Sequence, residues 1–158
     1  IPLMPGDRVI VEPLPQVKGY WGSSGRTFHM GPATDEEIEK IQILDRGRQA
    51  AADMTRPGVR TGDMMDTINE TLQEGGLICS LDQGGHGVGI DGQEPPAIAL
   101  GETFEVQEDM VLAVECWYFE TDDNGHHRVY GGEDYVHVTS DGSDPLPTFP
   151  TDIFHLGD

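Results

Sequence analysis

The sequence predicts an α+β protein, a single domain of 158 residues. Three observations carry that expectation. A Thr34/Glu37 capping box opens a helical stripe, and a second helical segment stops at Gly75-Gly76. Strand-like segments broken by turn residues stand on both sides of this helical pair.

The elements follow in chain order. Residues 6–22, GDRVIVEPLPQVKGYWG, read as two short strands. Val9 and Val11, then Val17, Tyr20 and Trp21, are strand formers, with Pro13 and Pro15 interrupting between them. GRTFHMG continues extended to a turn at Gly31-Pro32. In ATDEEIEK, three acids follow the capping threonine, where the positive end of the helix dipole favours them. Ile38, Ile41, Leu44 and the run 50–54 keep the stripe until Pro57-Gly58 ends it. The second helix runs from about Asp63 through MMDTINETLQE to the paired glycines. Residues 77–81 read as strand-like, followed by a glycine-rich segment and by DMVLAVECWYFE, the most apolar strand. Asn124-Gly125 marks a hairpin tip, and RVYGGEDYVHVTSDG returns as a strand. From Pro145 onward the tail reads as irregular coil.

Composition limits the partners. There are 29 acidic residues against 9 basic ones, a formal charge of −20, and Lys18 and Lys40 are the only lysines. Such a surface repels nucleic acid and anionic membranes, and no basic stripe offsets it. Scarce lysine with abundant aspartate predicts adaptation to high salt, where self-repulsion is screened. Cys79 and Cys116 sit in apolar contexts and read as small buried hydrophobes, not as a disulfide framework. No apolar run is long enough to span a bilayer. A cytoplasmic protein is expected, opening at Ile1 as a piece of a longer chain would.

The chemistry concentrates on strands. Residues 84–96, GGHGVGIDGQEPP, bring flexible backbone close to His86. Glu115 interrupts VLAVECWYF. Either it faces solvent while Val114 and Cys116 face inward, or it is paired or bound to a cation. Glu133 lies in GGEDYVHV, as a turn acid or as a group in a tightly packed site. One imidazole and several carboxylates, Glu12 and Glu94 among them, make a nitrogen-and-oxygen donor set suited to Mn, Fe, Co or Zn.

GGHGVGIDGQEPP, EDMVLAVE and GGEDYVHVTSDG, in that order, closely resemble the C-terminal half of the pita-bread superfamily, the group of creatinase, prolidase, aminopeptidase P and methionine aminopeptidase. The earlier PGDRVIV…GYWGSSGRTFHMGPATDEE resembles the hairpin before that half. The resemblance covers almost the whole chain and implies that the front portion of the fold is absent from these residues.

The family's peptidases hold two metals with two Asp, one His and two Glu. By resemblance His86, Glu115 and Glu133 stand at three of those positions. Glu12 falls on the first Asp, one methylene longer, and Ser23 on the second, whose carboxylate bridges the metals. Gln93 falls on a His that assists substrate binding or the transition state, while Glu94 and Pro95 keep the family's Glu-x-Pro surroundings. The Arg two residues before the last Glu is Gly131, with Arg128 close by as a substrate-binding candidate. The resemblance therefore implies a hydrolase of a C–N bond in an Xaa-Pro peptide or a small amide or guanidino compound. His86, Glu94 and Gln93 would be its catalytic candidates, with one divalent metal (Mn, Co, Zn or Fe) or none. The alternative is a non-catalytic binding module on the same fold. Family members are often dimers, so a homodimer is a further expectation.

Overall fold

In the computed structural model, which describes residues 2–122, 125–146, 149–150 and 154–156, helix α1 (Asp35–Met54) starts where the capping box puts it. The Thr34 hydroxyl accepts from the Glu37 N–H at 3.3 Å, and the Glu37 carboxylate accepts from the Thr34 N–H at 2.8 Å. That carboxylate also pairs with Arg8, so the cap is tied to the sheet as well as to the helix. Helix α2 (Thr61–Glu74) begins two residues ahead of the expected Asp63 and ends before Gly75.

The strands are β1 (Arg8–Val11), β2 (Gln16–Val17), β3 (Tyr20–Trp21), β4 (Gly25–Met30), β5 (Gln83–Gly87), β6 (Glu94–Ala99), β7 (Val111–Thr121), β8 (His127–Val138), β9 (Ser143–Pro145) and β10 (Phe154–Leu156). Among the described residues the main sheet runs β1-β4-β8-β7-β5-β6, with β9 added on β8 and β10 on β4, while β2 and β3 form a separate hairpin. All pairings are antiparallel except β10 on β4.

Two expectations are corrected here. Residues 77–81 form no strand; Ser80 makes one backbone bond, to the Trp117 carbonyl at 3.1 Å, and Ile78 points outward. The tail is not wholly coil, because Phe154 stacks on Phe28 with ring centroids 5.0 Å apart and brings β10 to the part of β4 beyond the reach of β8. The β7–β8 turn closes through the Gly125 N–H on the Asp122 carbonyl at 2.8 Å; Asn124, at the expected tip, lies outside the described residues.

Both helices cover one face of the sheet. Ile41, Leu44, Met64, Met65, Ile68 and Leu72 meet Leu112, Val114, Cys116, Val136 and Val138 in the main core. On β7 those inward residues occupy even positions. Odd positions therefore face the other side, where Ala113 and Tyr135 build a small second cluster with Val88, Trp21 and Val111.

Candidate functional site

Cross-strand partners project to the same face of a sheet, so register decides which side chains meet. His86 pairs with Ala113, and Ala113 with Tyr135. One step along, Glu115 pairs with Glu133, and Glu133 with Gly25. All of these lie on the face away from the helices. A one-residue slip would send the whole set into the helical core.

A cavity of about 330 Å³ opens on that face, lined by Glu12, Ser23, His86, Gln93 and Glu133, with Asp91 and Trp21 beside them. Glu12 comes from the end of β1, Ser23 from the approach to β4, and Gln93 from the loop ahead of β6. Three stretches of the chain, residues 12–23, residues 86–93 and Glu133, thus supply one concave site.

Glu133 is only 1% exposed. Its Oε2 accepts from the Ser23 hydroxyl at 2.8 Å, whereas Oε1 of the anion is buried with no partner among the described residues. Burial, and then the hydrogen bond with Glu12, push its carboxyl up to about 8. Protonated, Glu133 can donate to Glu12, which relieves the isolation of Oε1. Tyr135, two residues on and facing the same way, has a buried hydroxyl with no partner among the described residues.

The Nδ1 of His86 lies 3.0 Å from the Gly87 carbonyl. A carbonyl can only accept, so Nδ1 is the nitrogen that donates there, and in the neutral ring the lone pair lies on Nε2. Glu115 is half-buried, and its Oε2 accepts from the indole N–H of Trp117 at 2.7 Å. The place where the resemblance expects an arginine has been rebuilt around this indole. Gly131 has φ +145°, and any Cβ there would run into the Cys116 carbonyl and come within 2.7 Å of Trp117 Cε3.

The remaining candidates lie apart. Glu94 accepts from the Asp91 N–H at 3.2 Å and braces the loop instead of lining the cavity. Arg128 does not replace the missing arginine. Its Nη2 donates to Asp122 at 2.6 Å, and it lines a different cavity with Arg8 and His126. Sequence reasoning missed Tyr135 and Trp117 as site residues. Period-two alternation from Glu133 and Glu115 was the available signal for both.

The residues do not fit the paired-metal group that the resemblance implies. At the bridging position Ser23 offers a neutral hydroxyl that already donates to Glu133, and the Glu115 carboxylate is engaged by an indole N–H. Among the described residues no group of three or more His, Cys, Asp or Glu is arranged to hold a metal ion.

A mostly antiparallel sheet backed by two helices, with an imidazole and carboxyls converging on its open face, defines a protein of the pita-bread class. Residues 2–140 match metallopeptidase family M24, and the chain belongs to that family. It is 29% identical over 155 residues to YkvY of Bacillus subtilis, provisionally named a dipeptidase, covering 98% of this chain and 42% of that one. Over 114 residues it is 26% identical to an Xaa-Pro dipeptidase of Lactobacillus delbrueckii subsp. lactis, covering 72% of this chain and 31% of that one. The crystal structure of dipeptidase PepE from Mycobacterium ulcerans superposes with a TM-score of 0.90 at 26% identity, over 97% of this chain and 41% of that one. The chain thus spans less than half the length of each of these relatives. No helix among the described residues is long and apolar enough to cross a membrane.

Proposed function

We propose that this chain is the C-terminal part of the catalytic domain of a peptidase-like hydrolase. It would cleave a C–N bond in a short peptide or small amide without the paired metals of its family. The observation that carries this reading is the convergence of His86, Glu12, Glu133 and Gln93 on one cavity. His86 Nε2 would take a proton from water, a protonated Glu133 would act as an acid toward the leaving nitrogen, and Gln93 would hydrogen-bond the substrate. The front portion of the fold would complete the cavity.

The test uses the longest natural form of the protein, assayed on Xaa-Pro dipeptides with chelator and, separately, with Mn or Co. Hydrolysis that survives the chelator and falls about a hundredfold or more in His86→Ala and Glu133→Gln supports the reading. Activity that returns only with bound metal would overturn its metal-free part. A second reading, a binding module without catalysis, is favoured by one observation: Ser23 and Trp117 each already engage one carboxylate oxygen, of Glu133 and of Glu115, from within the fold. No turnover under any condition, with Glu115→Gln leaving stability intact, would select it.

A further inference from the structure

The loop between β5 and β6, residues 88–93, carries Asp91-Gly92 ahead of Gln93. Its base is anchored, since the Gly89 carbonyl accepts from the Trp21 N–H at 2.8 Å, and its crown stands in solvent, with Ile90 70% exposed. An aspartate followed by glycine can close on itself, because glycine has no Cβ to shield its amide nitrogen from the aspartate carboxyl. The sequence holds one other such junction, Asp141-Gly142. Both aspartates are exposed and both glycines half-buried, so exposure does not separate the two. Hydrogen bonding does. The Gly142 N–H donates to the Thr139 hydroxyl at 3.2 Å, a bond that must open before that nitrogen is free to attack. The Gly125 N–H, after Asn124, is likewise engaged, by the Asp122 carbonyl at 2.8 Å. By contrast, the Gly92 N–H and the Asp91 carboxylate have no hydrogen-bond or ion-pair partner among the described residues. The two bonds that brace Asp91, its N–H on Glu94 at 3.2 Å and its carbonyl under the Gly89 N–H at 3.1 Å, use neither reacting group.

We propose that Asp91-Gly92 is a self-modifying junction that passes through a cyclic imide to isoaspartate and thereby resets the loop that carries Gln93. In the first step the Gly92 nitrogen attacks Cγ of Asp91. The N–Cγ bond forms, a Cγ–O bond breaks, and the carboxyl hydroxyl leaves with the N–H proton as water. In the second, water adds at one of the two ring carbonyls. Opening at Cγ restores aspartate. Opening at the main-chain carbonyl breaks its bond to the Gly92 nitrogen and leaves the chain running through the Asp91 side chain, as isoaspartate. One water leaves and one returns, so mass is unchanged and no oxidant or cofactor is needed. The main chain gains one methylene, and the Asp91 carbonyl that accepts from Gly89 becomes a free carboxylate. Gln93 lines the cavity together with Asp91 and Gly92, so the added carbon displaces the group that the proposed reaction uses to hold substrate. The modification itself stands independently of that reaction.

The test incubates the full chain in heavy-oxygen water at neutral pH and digests it. Each Asp-Gly peptide is then read by mass and by resistance to a protease that cuts before aspartate but not before isoaspartate. Every passage through the imide exchanges one oxygen at the residue concerned. In the folded chain the peptide of residue 91 should take up label and become resistant at least about fivefold faster than that of residue 141. In guanidinium chloride, where the Thr139 bond is gone, the two rates should agree within about twofold. Gly92→Ala supplies a second measurement. A Cβ there comes no closer than 3.7 Å to Trp21, an ordinary contact, so the chain should fold as before while uptake at residue 91 falls sharply. The proposal is overturned if residue 91 takes up no label in the folded chain, if residue 141 keeps pace with it, if the same difference persists in guanidinium chloride, or if Gly92→Ala leaves the rate unchanged. Because two junctions are compared within one wild-type chain, a variant that fails to fold leaves the test decisive.

Discussion

Glu133 couples the cavity to pH. Its folded carboxyl is raised to about 8 from an ordinary 4.5, so between those values the folded state holds a proton that the unfolded state has released. Stability must therefore fall as pH rises through that window, by an amount on the order of a few kcal/mol. Urea midpoints measured with chelator from about pH 5 to 9 should show the decline, and Glu133→Gln should flatten it. A wild-type profile as flat as that of the variant would refute the buried, protonated carboxyl. Tyr135 poses the opposite problem, a buried hydroxyl with no partner among the described residues. Tyr135→Phe keeps the ring and removes the cost of that isolated group, so the midpoint should rise by the equivalent of about 1 kcal/mol. The convergence of His86 and Glu133 on one cavity was legible as an expectation in the sequence because each sits in a short motif of fixed spacing; Glu115 shares their face of the sheet but does not line that cavity. The engagement of Glu115 by Trp117 was not, since it depends on the room left at Gly25 and Gly131 on two other strands.

At the scale of elements, β8 is the junction of the sheet, bonded along its length to β7 and, on its other edge, to β4 at its middle and to β9 at its C-terminal end. Gly131 is its weak point, with a positive φ and no space for a Cβ. Gly131→Ala should cost more than about 2 kcal/mol and push Trp117 off Glu115, which tryptophan fluorescence and urea titration together would register. The start of α1 was legible to the residue because capping chemistry is local, four residues written consecutively. The strand-like reading of 77–81 failed for the converse reason. Its apolar run Leu77, Ile78, Cys79 and Leu81 suits a strand by residue type, yet Ser80 makes a single backbone bond with β7 before β5 takes over that edge. β10 was equally illegible, because its partner Phe28 lies more than a hundred residues earlier.

For the whole molecule, the charge of −20 sets the conditions under which the fold is comfortable. Buried pairs such as Arg26–Asp134 and Arg48–Asp134 are shielded from added salt, whereas the surplus surface carboxylates are not. Raising NaCl from about 0.1 to about 1 M shortens the screening distance from roughly 10 to 3 Å, so the urea midpoint should rise. A midpoint that falls would mean that attractive surface pairs, and not repulsion, dominate. The parallel seat of β10 on β4 has a consequence in time. During synthesis β10 is made more than a hundred residues after β4, so that stretch of the β4 edge stays open for the interval between them. A sheet joined across such separations, β4 to β8 as well as β4 to β10, should have its folding rate governed by those long-range closures more than by either helix.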